Sequence, residues 1–538
     1  MVAISNIDLR CFIRSLFSAS NNAPAILRSE NFPMNRFIES RRDFLKTTGL
    51  AAGAVLFSPK SVFAAGAESA ADYTIRIKAA PIEIASDQIL TMTTYNGQFP
   101  GPLIRFQEGR EAIVDIFNET HTPEQLHWHG QFVSTDVDGA AEEGTPYIPA
   151  HGQRRIRFTP KPAGLRFYHT HNRAGADLSA GQYSGQVGLV YIEPKENPGR
   201  YDREVFLVLK EFGPTLSRAD PMAQNFLLPS APIVRGDGKK MLHEMEGDLK
   251  SLEEKTEHVA KIYGRPRGYE VIYQFFTING SMLGHGEPIR VKEGERVLFH
   301  ILNGSATEIR SLVLPGHFFQ VVALDGNAVP NPVYVPGLWI GTAERVSAVV
   351  EMNHPGVWVM GDLAEDARRG GMGIVVEYAG RSGKPRWEAP WKEIRWNYLR
   401  FAKQGAHAPP PDERIEMCFA EELGAEEGFN RWTINGDAYA MSNEMTPASY
   451  HLKQGKRYRI RMSNLSDHIH PIHLHRHSFE LTNIAGQSTA GVMKDVVMLG
   501  AHQISEIDFV ADNPGLTLFH CHQQMHMDFG FMTLFDYV

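Results

Sequence analysis

Residues 515–522 read Gly-Leu-Thr-Leu-Phe-His-Cys-His, and the same frame occurs at 164–171 as Gly-Leu-Arg-Phe-Tyr-His-Thr-His and at 356–363 as Gly-Val-Trp-Val-Met-Gly-Asp-Leu. In each copy a glycine opens a run of large apolar or aromatic residues, the composition of a buried strand. A second frame precedes each of them. Gly109, Gly294 and Gly455 stand nine residues before Asn118, Asn303 and Asn464; nine and eleven residues past those asparagines lie His127 and His129, Leu312 and Leu314, and His473 and His475. The chain therefore reads as a triplication whose first and third copies carry paired histidines where the middle copy carries leucines. A metal site built from these pairs belongs to copies one and three together.

Stretches 73–84, 112–117, 155–158, 187–192, 297–302, 345–350 and 458–462 are rich in β-branched or aromatic residues and are separated by Gly, Pro and Asn. This spacing predicts an all-β chain of three Greek-key β-sandwich domains. A length of 538 residues suits about three domains. Edges are expected at Glu193-Pro194-Lys195 and in the Gly- and Pro-rich 380–390 stretch, which divides the chain into 68–195, 196–385 and 386–538. One segment departs from the strand pattern: 239–261 is charged and helical in composition, and reads as an exposed insertion in the second copy.

Ser40-Arg41-Arg42-Asp43-Phe44-Leu45-Lys46 matches the twin-arginine export pattern, followed by an apolar stretch at 50–57 and small residues at 64–67. Residues 1–67 are therefore expected to be a targeting region, with Met34 as an alternative start to Met1, and the mature chain to be periplasmic or secreted. The formal net charge of -8 argues against nucleic acid or anionic lipid as the main partner, and no segment reads as a membrane span of the mature chain. Of the three cysteines, Cys11 lies in the leader, Cys418 stands alone and Cys521 sits between two histidines. No disulfide is expected, because pairing Cys418 with Cys521 would consume a thiol placed as a ligand.

Side chains at i and i+2 of a strand share a face, so His127 with His129, His169 with His171, and His473 with His475 are each pre-paired for a metal. In His520-Cys521-His522 the same alternation sends both imidazoles to one face and the thiol to the other, so one short strand can serve two centres. Imidazoles with one thiolate suit copper better than calcium or magnesium, and eight histidines without carboxylate ligands exceed what a single zinc site needs.

With these motifs the chain resembles the three-domain multicopper oxidases, which include laccases, bilirubin oxidases and cuprous or ferrous metallo-oxidases. The resemblance runs from Tyr95-Asn96-Gly97-Gln98-Phe99-Pro100-Gly101-Pro102 to the C-terminal His-Cys-His cluster. It implies three cupredoxin-like sandwiches and four copper ions: one type 1, one type 2 and two type 3. It also implies dioxygen as one substrate and a small-molecule reductant or a metal ion as the other. By this resemblance His127 and His473 would hold the type 2 copper. His129, His169 and His522 would hold one type 3 copper, and His171, His475 and His520 its partner. His470, Cys521 and His526 would form the type 1 site. Phe531, ten residues past the cysteine, takes the axial place, where a side chain that cannot coordinate implies a high potential.

Asp138, eleven residues after His127, matches an acidic position near the type 2 copper and is the candidate proton relay. Two positions depart from the family pattern. The acid that some members carry directly after the last type 1 histidine is Met527 here, followed by Asp528, and Arg476 replaces the glycine common after the third histidine of its motif. His468 and His477 are not expected to bind copper. The implied activity is laccase-like, the one-electron oxidation of phenols or aromatic amines coupled to reduction of dioxygen to water, and the chain is expected to be a monomer. A metallo-oxidase for Cu(I), Fe(II) or Mn(II) is the alternative. A copper-free envelope scaffold is the remote one, disfavoured because all eleven implied ligand positions are filled.

Overall fold

The computed structural model describes residues 69–195, 200–217, 268–390, 394–440 and 446–538. The expected targeting region at 1–67 and the insertion at 239–261 lie outside the described residues. Among those described, no helix is long and apolar enough to cross a membrane.

The first strand, Tyr73–Ala85, alternates exposed and buried residues along most of its length, as a strand with one face on a core must. It sits in a four-stranded sheet ordered Gln88–Tyr95, Tyr73–Ala85, Ala112–Asn118, Gln153–Phe158. A second four-stranded sheet follows the order Gly101–Gln107, Val187–Glu193, Gly164–His169, His127–His129. Tyr73–Ala85 pairs antiparallel with its hairpin partner and parallel with Ala112–Asn118, so the sheet needs a crossover and is no simple meander.

The plan recurs twice. One six-stranded sheet is ordered Glu270–Ile278, Arg203–Ser217, Arg296–Asn303, Arg345–Glu351, Phe319–Leu324, Asn327–Val335, and is accompanied by smaller sheets that include Val357–Gly361. The other is ordered Phe429–Ile434, Glu413–Glu426, Arg457–Asn464, Ile504–Val510, Phe479–Ile484, Gln487–Lys494. It accompanies a five-stranded sheet of Tyr450–Leu452, Met532–Tyr537, Thr517–Cys521, His470–Leu474 and Val496–Leu499. All seven strand stretches expected from the sequence are strands.

The histidine-bearing strands pair in register. His127 faces His169 across one antiparallel pair, and His473 faces His520 across its counterpart. In the middle copy the corresponding contact is a single bridge between Val313 and Gly361, and Leu312 and Leu314 are fully buried core residues. Of the expected pairs, only His127 and His129 lie wholly inside a strand. His171, His475 and His522 stand just past the ends of Gly164–His169, His470–Leu474 and Thr517–Cys521. Ladder bonds persist there, with His475 N–H donating to Leu518 O at 2.9 Å and His522 N–H to Pro471 O at 2.7 Å, so the side-chain alternation carries on beyond the strand ends.

Fully buried charges from all three copies meet beside the first and third histidine strands. The Arg345 guanidinium, at the start of a middle-copy strand, donates bidentately to the two carboxylate oxygens of Asp495, both at 2.5 Å. Asp325 in turn accepts from the backbone N–H of Asp495 at 3.2 Å and of Val496 at 3.0 Å. Lys494 Nζ lies 2.9 Å from Asp325 and 3.0 Å from Glu344, and Arg166 lies 3.4 Å from Asp495. Three cations thus face three carboxylates, the balance a buried network needs to offset desolvation.

Candidate metal centre

Two groups of ligand atoms converge, and the strand end at Cys521 touches both. In the first group, Cys521 Sγ lies 3.6 Å from His470 Nδ1 and 3.5 Å from His526 Nδ1, and the two nitrogens are 3.1 Å apart. Ser466 Oγ donates to Asn464 and so accepts from His470 Nε2–H at 2.8 Å, which leaves the Nδ1 lone pair facing the thiol. Phe531 is fully buried with its ring 4.8 Å from that of His470, while Met532 packs with Tyr439, Leu518, Met527 and Leu534 in a separate cluster. Phe531, rather than Met532, is therefore the residue beside this triangle. Trp432 covers another side, its ring 4.1 Å from that of His526 and 4.9 Å from that of His470.

The second group holds the remaining eight histidines, drawn from the first and third copies. His127 stacks on His475 at 4.1 Å between ring centroids, and His129 stacks on His473 at 3.8 Å. Ring contacts of 5.0–5.7 Å join His129, His169 and His522. Contacts of 4.9–5.3 Å join His171, His475 and His520.

The orientation of these rings follows a pseudo-twofold pattern. His127 Nδ1–H donates to the Asp138 carbonyl at 2.9 Å, and His473 Nδ1–H donates to the Asp495 carbonyl at 2.7 Å. The side chain of each aspartate reaches across to the other copy: Asp138 Oδ2 to His475 Nδ1 at 2.9 Å, and Asp495 Oδ1 to His129 Nε2 at 3.2 Å. Gly139 makes the first half of this possible. It has φ 91°, and a Cβ there would lie 1.9 Å from the Leu126 carbonyl, so only glycine lets the short helix Thr135–Asp138 fold back onto the His127 strand.

These residues fit copper. His127 Nε2, His129 Nδ1, His169 Nε2, His473 Nε2 and both ring nitrogens of His171 and His522 are buried without a hydrogen-bond partner. A buried polar atom left unpaired is costly, and a cluster of them asks for a metal. Burial pushes His129, His169, His470, His473, His475, His522 and His526 well below the usual histidine range and His520 to about 3, so their lone pairs are free at neutral pH. Burial pushes the Cys521 thiol up, so a bound metal has to displace its proton. The donors of both groups are imidazoles and one sulfur, the set that copper takes.

Profiles described as multicopper oxidase match residues 77–197, 246–373 and 422–538, together over half of the chain. The chain belongs to the multicopper oxidase family. It is a copper-dependent oxidoreductase with dioxygen as acceptor. It is 29% identical to the multicopper oxidase MmcO of Mycobacterium tuberculosis, over 96% of this chain and 100% of the relative. It is 24% identical to an L-ascorbate oxidase of Brassica rapa subsp. pekinensis, over 82% of this chain and 87% of that one. Its fold matches that of Fet3p, described as a multicopper oxidase that functions in iron import, with a TM-score of 0.67 at 18% identity, covering 86% of this chain and 90% of that one. The sandwiches are accordingly cupredoxin-like.

Several groups at this multicopper oxidase centre carry no spacing signal. Asp495 follows its histidine, His473, by twenty-two residues, where Asp138 follows His127 by eleven, which hides the equivalence. Glu142 and Glu143, adjacent acids shortly after Asp138, are both buried. Glu142 lies 3.3 Å from His171 and 3.1 Å from Arg173; burial opposes its charge, but these two partners hold it down at about 2. Glu143 is pushed up by burial and by the charge of Asp138, whereas Asp138, although burial opposes its charge, is held below the usual carboxylate range by His127. Asp528 is buried and accepts from the backbone N–H of Ala174 at 2.9 Å and Gly175 at 2.8 Å, tying third copy to first. His477 bonds its own chain and Tyr537, and His468 lies 3.6 Å from Glu421, so both are engaged elsewhere.

Proposed function

We propose that this oxidase takes single electrons from phenols or aromatic amines at the His470–Cys521–His526 triangle and delivers them to dioxygen at the eight-histidine cluster, with four coppers per chain. The observation that carries this reading is the strand end His520-Cys521-His522: Cys521 enters one ligand group while both neighbours enter the other, so the two groups are joined by an unbroken covalent path through the backbone. Copper, when bound, supplies the one-electron steps and the oxygen chemistry. The residues of the chain set where it binds and where protons wait.

In this reading His470, Cys521 and His526 hold type 1 copper, and His127 and His473 hold type 2. His129, His169 and His522 hold one type 3 copper, and His171, His475 and His520 the other. Phe531, packed against His470, has no sulfur or oxygen to offer a copper held there, which would favour a high potential and so poorly reducing donors such as phenols. Asp138, touching His475 and His127, is placed to accept and pass protons toward reduced oxygen, and Glu143, which burial favours in its protonated form, lies beside it. With the twin-arginine pattern at 40–46 taken as an export signal, this chemistry would belong to the periplasm or the outside of the cell.

Oxygen uptake by the copper-loaded enzyme, measured side by side with a phenol, Cu(I) and Fe(II), tests the substrate class. Phenol is expected to sustain uptake with no copper beyond that already bound. Negligible uptake with phenol until excess Cu(II) is added, together with rapid turnover of Cu(I) or Fe(II), would transfer the assignment to a metallo-oxidase.

A further inference from the structure

Arg476 follows His475 directly and stands where glycine is common in this family. The first copy keeps the glycine: Gly130 follows His129 with φ 76°, and a Cβ there would lie 2.5 Å from Asp495 Oδ2 and 2.8 Å from Arg345 Nη2. At Gly130, then, the space behind the histidine is already filled by an arginine from the middle copy. At 476 the arginine belongs to the histidine segment itself, in the turn that follows the strand His470–Leu474, with φ 59°, a left-handed conformation that a residue with a Cβ adopts only when its surroundings hold it there.

The surroundings do hold it. Arg476 is 1% exposed, and its five N–H groups meet five acceptors. Nε donates to Val133 O at 3.0 Å. Nη1 donates to Leu516 O at 2.7 Å and Thr517 Oγ1 at 3.1 Å, and Nη2 to Asn513 O at 3.1 Å and Pro514 O at 2.7 Å. Asn513 Nδ2 closes the ring by donating to both Val133 O, at 3.0 Å, and Arg476 O, at 2.9 Å. Val133 matters because it begins the loop that carries Asp138: Ser134 O next to it accepts from the Asp138 N–H at 3.0 Å. One residue therefore grips both halves of the Asp138–His475 contact, through its backbone on the histidine side and its guanidinium on the aspartate side.

We propose that Arg476 is a positioning residue for the eight-histidine copper site: an inter-copy clamp that sets His475 against Asp138 and holds the first and third copies in register around the metals. The inference rests on the copper assignment above. Glycine at 476 would relieve the backbone and leave Leu516 O, Asn513 O, Pro514 O and Thr517 Oγ1 without this donor. Lysine would keep the charge with three donors in place of five.

The test compares fully copper-loaded wild type, Arg476→Gly and Arg476→Lys, using the blue type 1 band as an internal control of folding. Arg476→Gly is expected to keep that band while its type 2 electron paramagnetic resonance signal and near-ultraviolet type 3 absorption change. Release of these coppers to a chelator should be about 10–100-fold faster. Arg476→Lys should fall between the two. Wild-type spectra and release rates in Arg476→Gly would overturn the proposal, as would equal loss of type 1 and cluster copper in both variants, the mark of a general stability effect. A wild-type chain that shows no cluster copper at all would overturn the copper assignment itself, and the clamp with it.

Discussion

Cys521→Ser is expected to abolish both the intense blue absorption of the loaded enzyme and its turnover of any reductant. The thiol is the only sulfur in the triangle with His470 and His526, and a serine hydroxyl supplies neither the charge-transfer band nor the soft ligand that holds copper in this geometry. The flanking His520 and His522 belong to the other group and keep their rings in place, so cluster copper should remain. The variant thus separates the two groups that one strand end joins. If the blue band persists, the thiolate is elsewhere, and Cys418, half-buried and unpaired with any cysteine, is the remaining candidate.

Arg345→Met should lower the unfolding free energy by about 3–5 kcal/mol, read as a shift of the urea midpoint, because it leaves a buried carboxylate without its principal cation. Arg166, at 3.4 Å, would then be the one arginine left beside the Asp495 carboxylate, while Lys494 is occupied by Asp325 and Glu344. The carbonyl of Asp495 orients His473 and its carboxylate touches His129, so the same variant should also bind cluster copper less tightly. This gives the middle copy a part in a centre to which it contributes no ligand. A wild-type midpoint with full copper retention would show that the buried network is dispensable.

How far the sequence spoke for itself differs between ligands and supports. The strands, the triple frame and the paired histidines were readable because local rules generate them: alternation within a strand and a fixed spacing from the glycine and asparagine of each repeat; His470 and His526 entered only through the family resemblance. Phe531 entered through the resemblance, ten residues past the cysteine, and stands just before the strand Met532–Tyr537 that pairs with that of the cysteine. Asp495, Arg345, Trp432 and Glu142 were not readable. Each reaches the site through a tertiary contact, Arg345 doing so from the middle copy across 150 residues to Asp495, and such contacts leave no periodic trace. Arg476 was visible as a departure from the family, but its meaning depended on Val133, 343 residues away.

The central claim, one thiolate site joined by a single strand end to an eight-histidine cluster, is tested most directly by counting copper in the fully reconstituted chain alongside its electron paramagnetic resonance. About four copper ions per chain are expected, with roughly half of them visible, since a coupled type 3 pair is silent. A single copper per chain after full reconstitution, carrying only a type 1 signal, would contradict the claim.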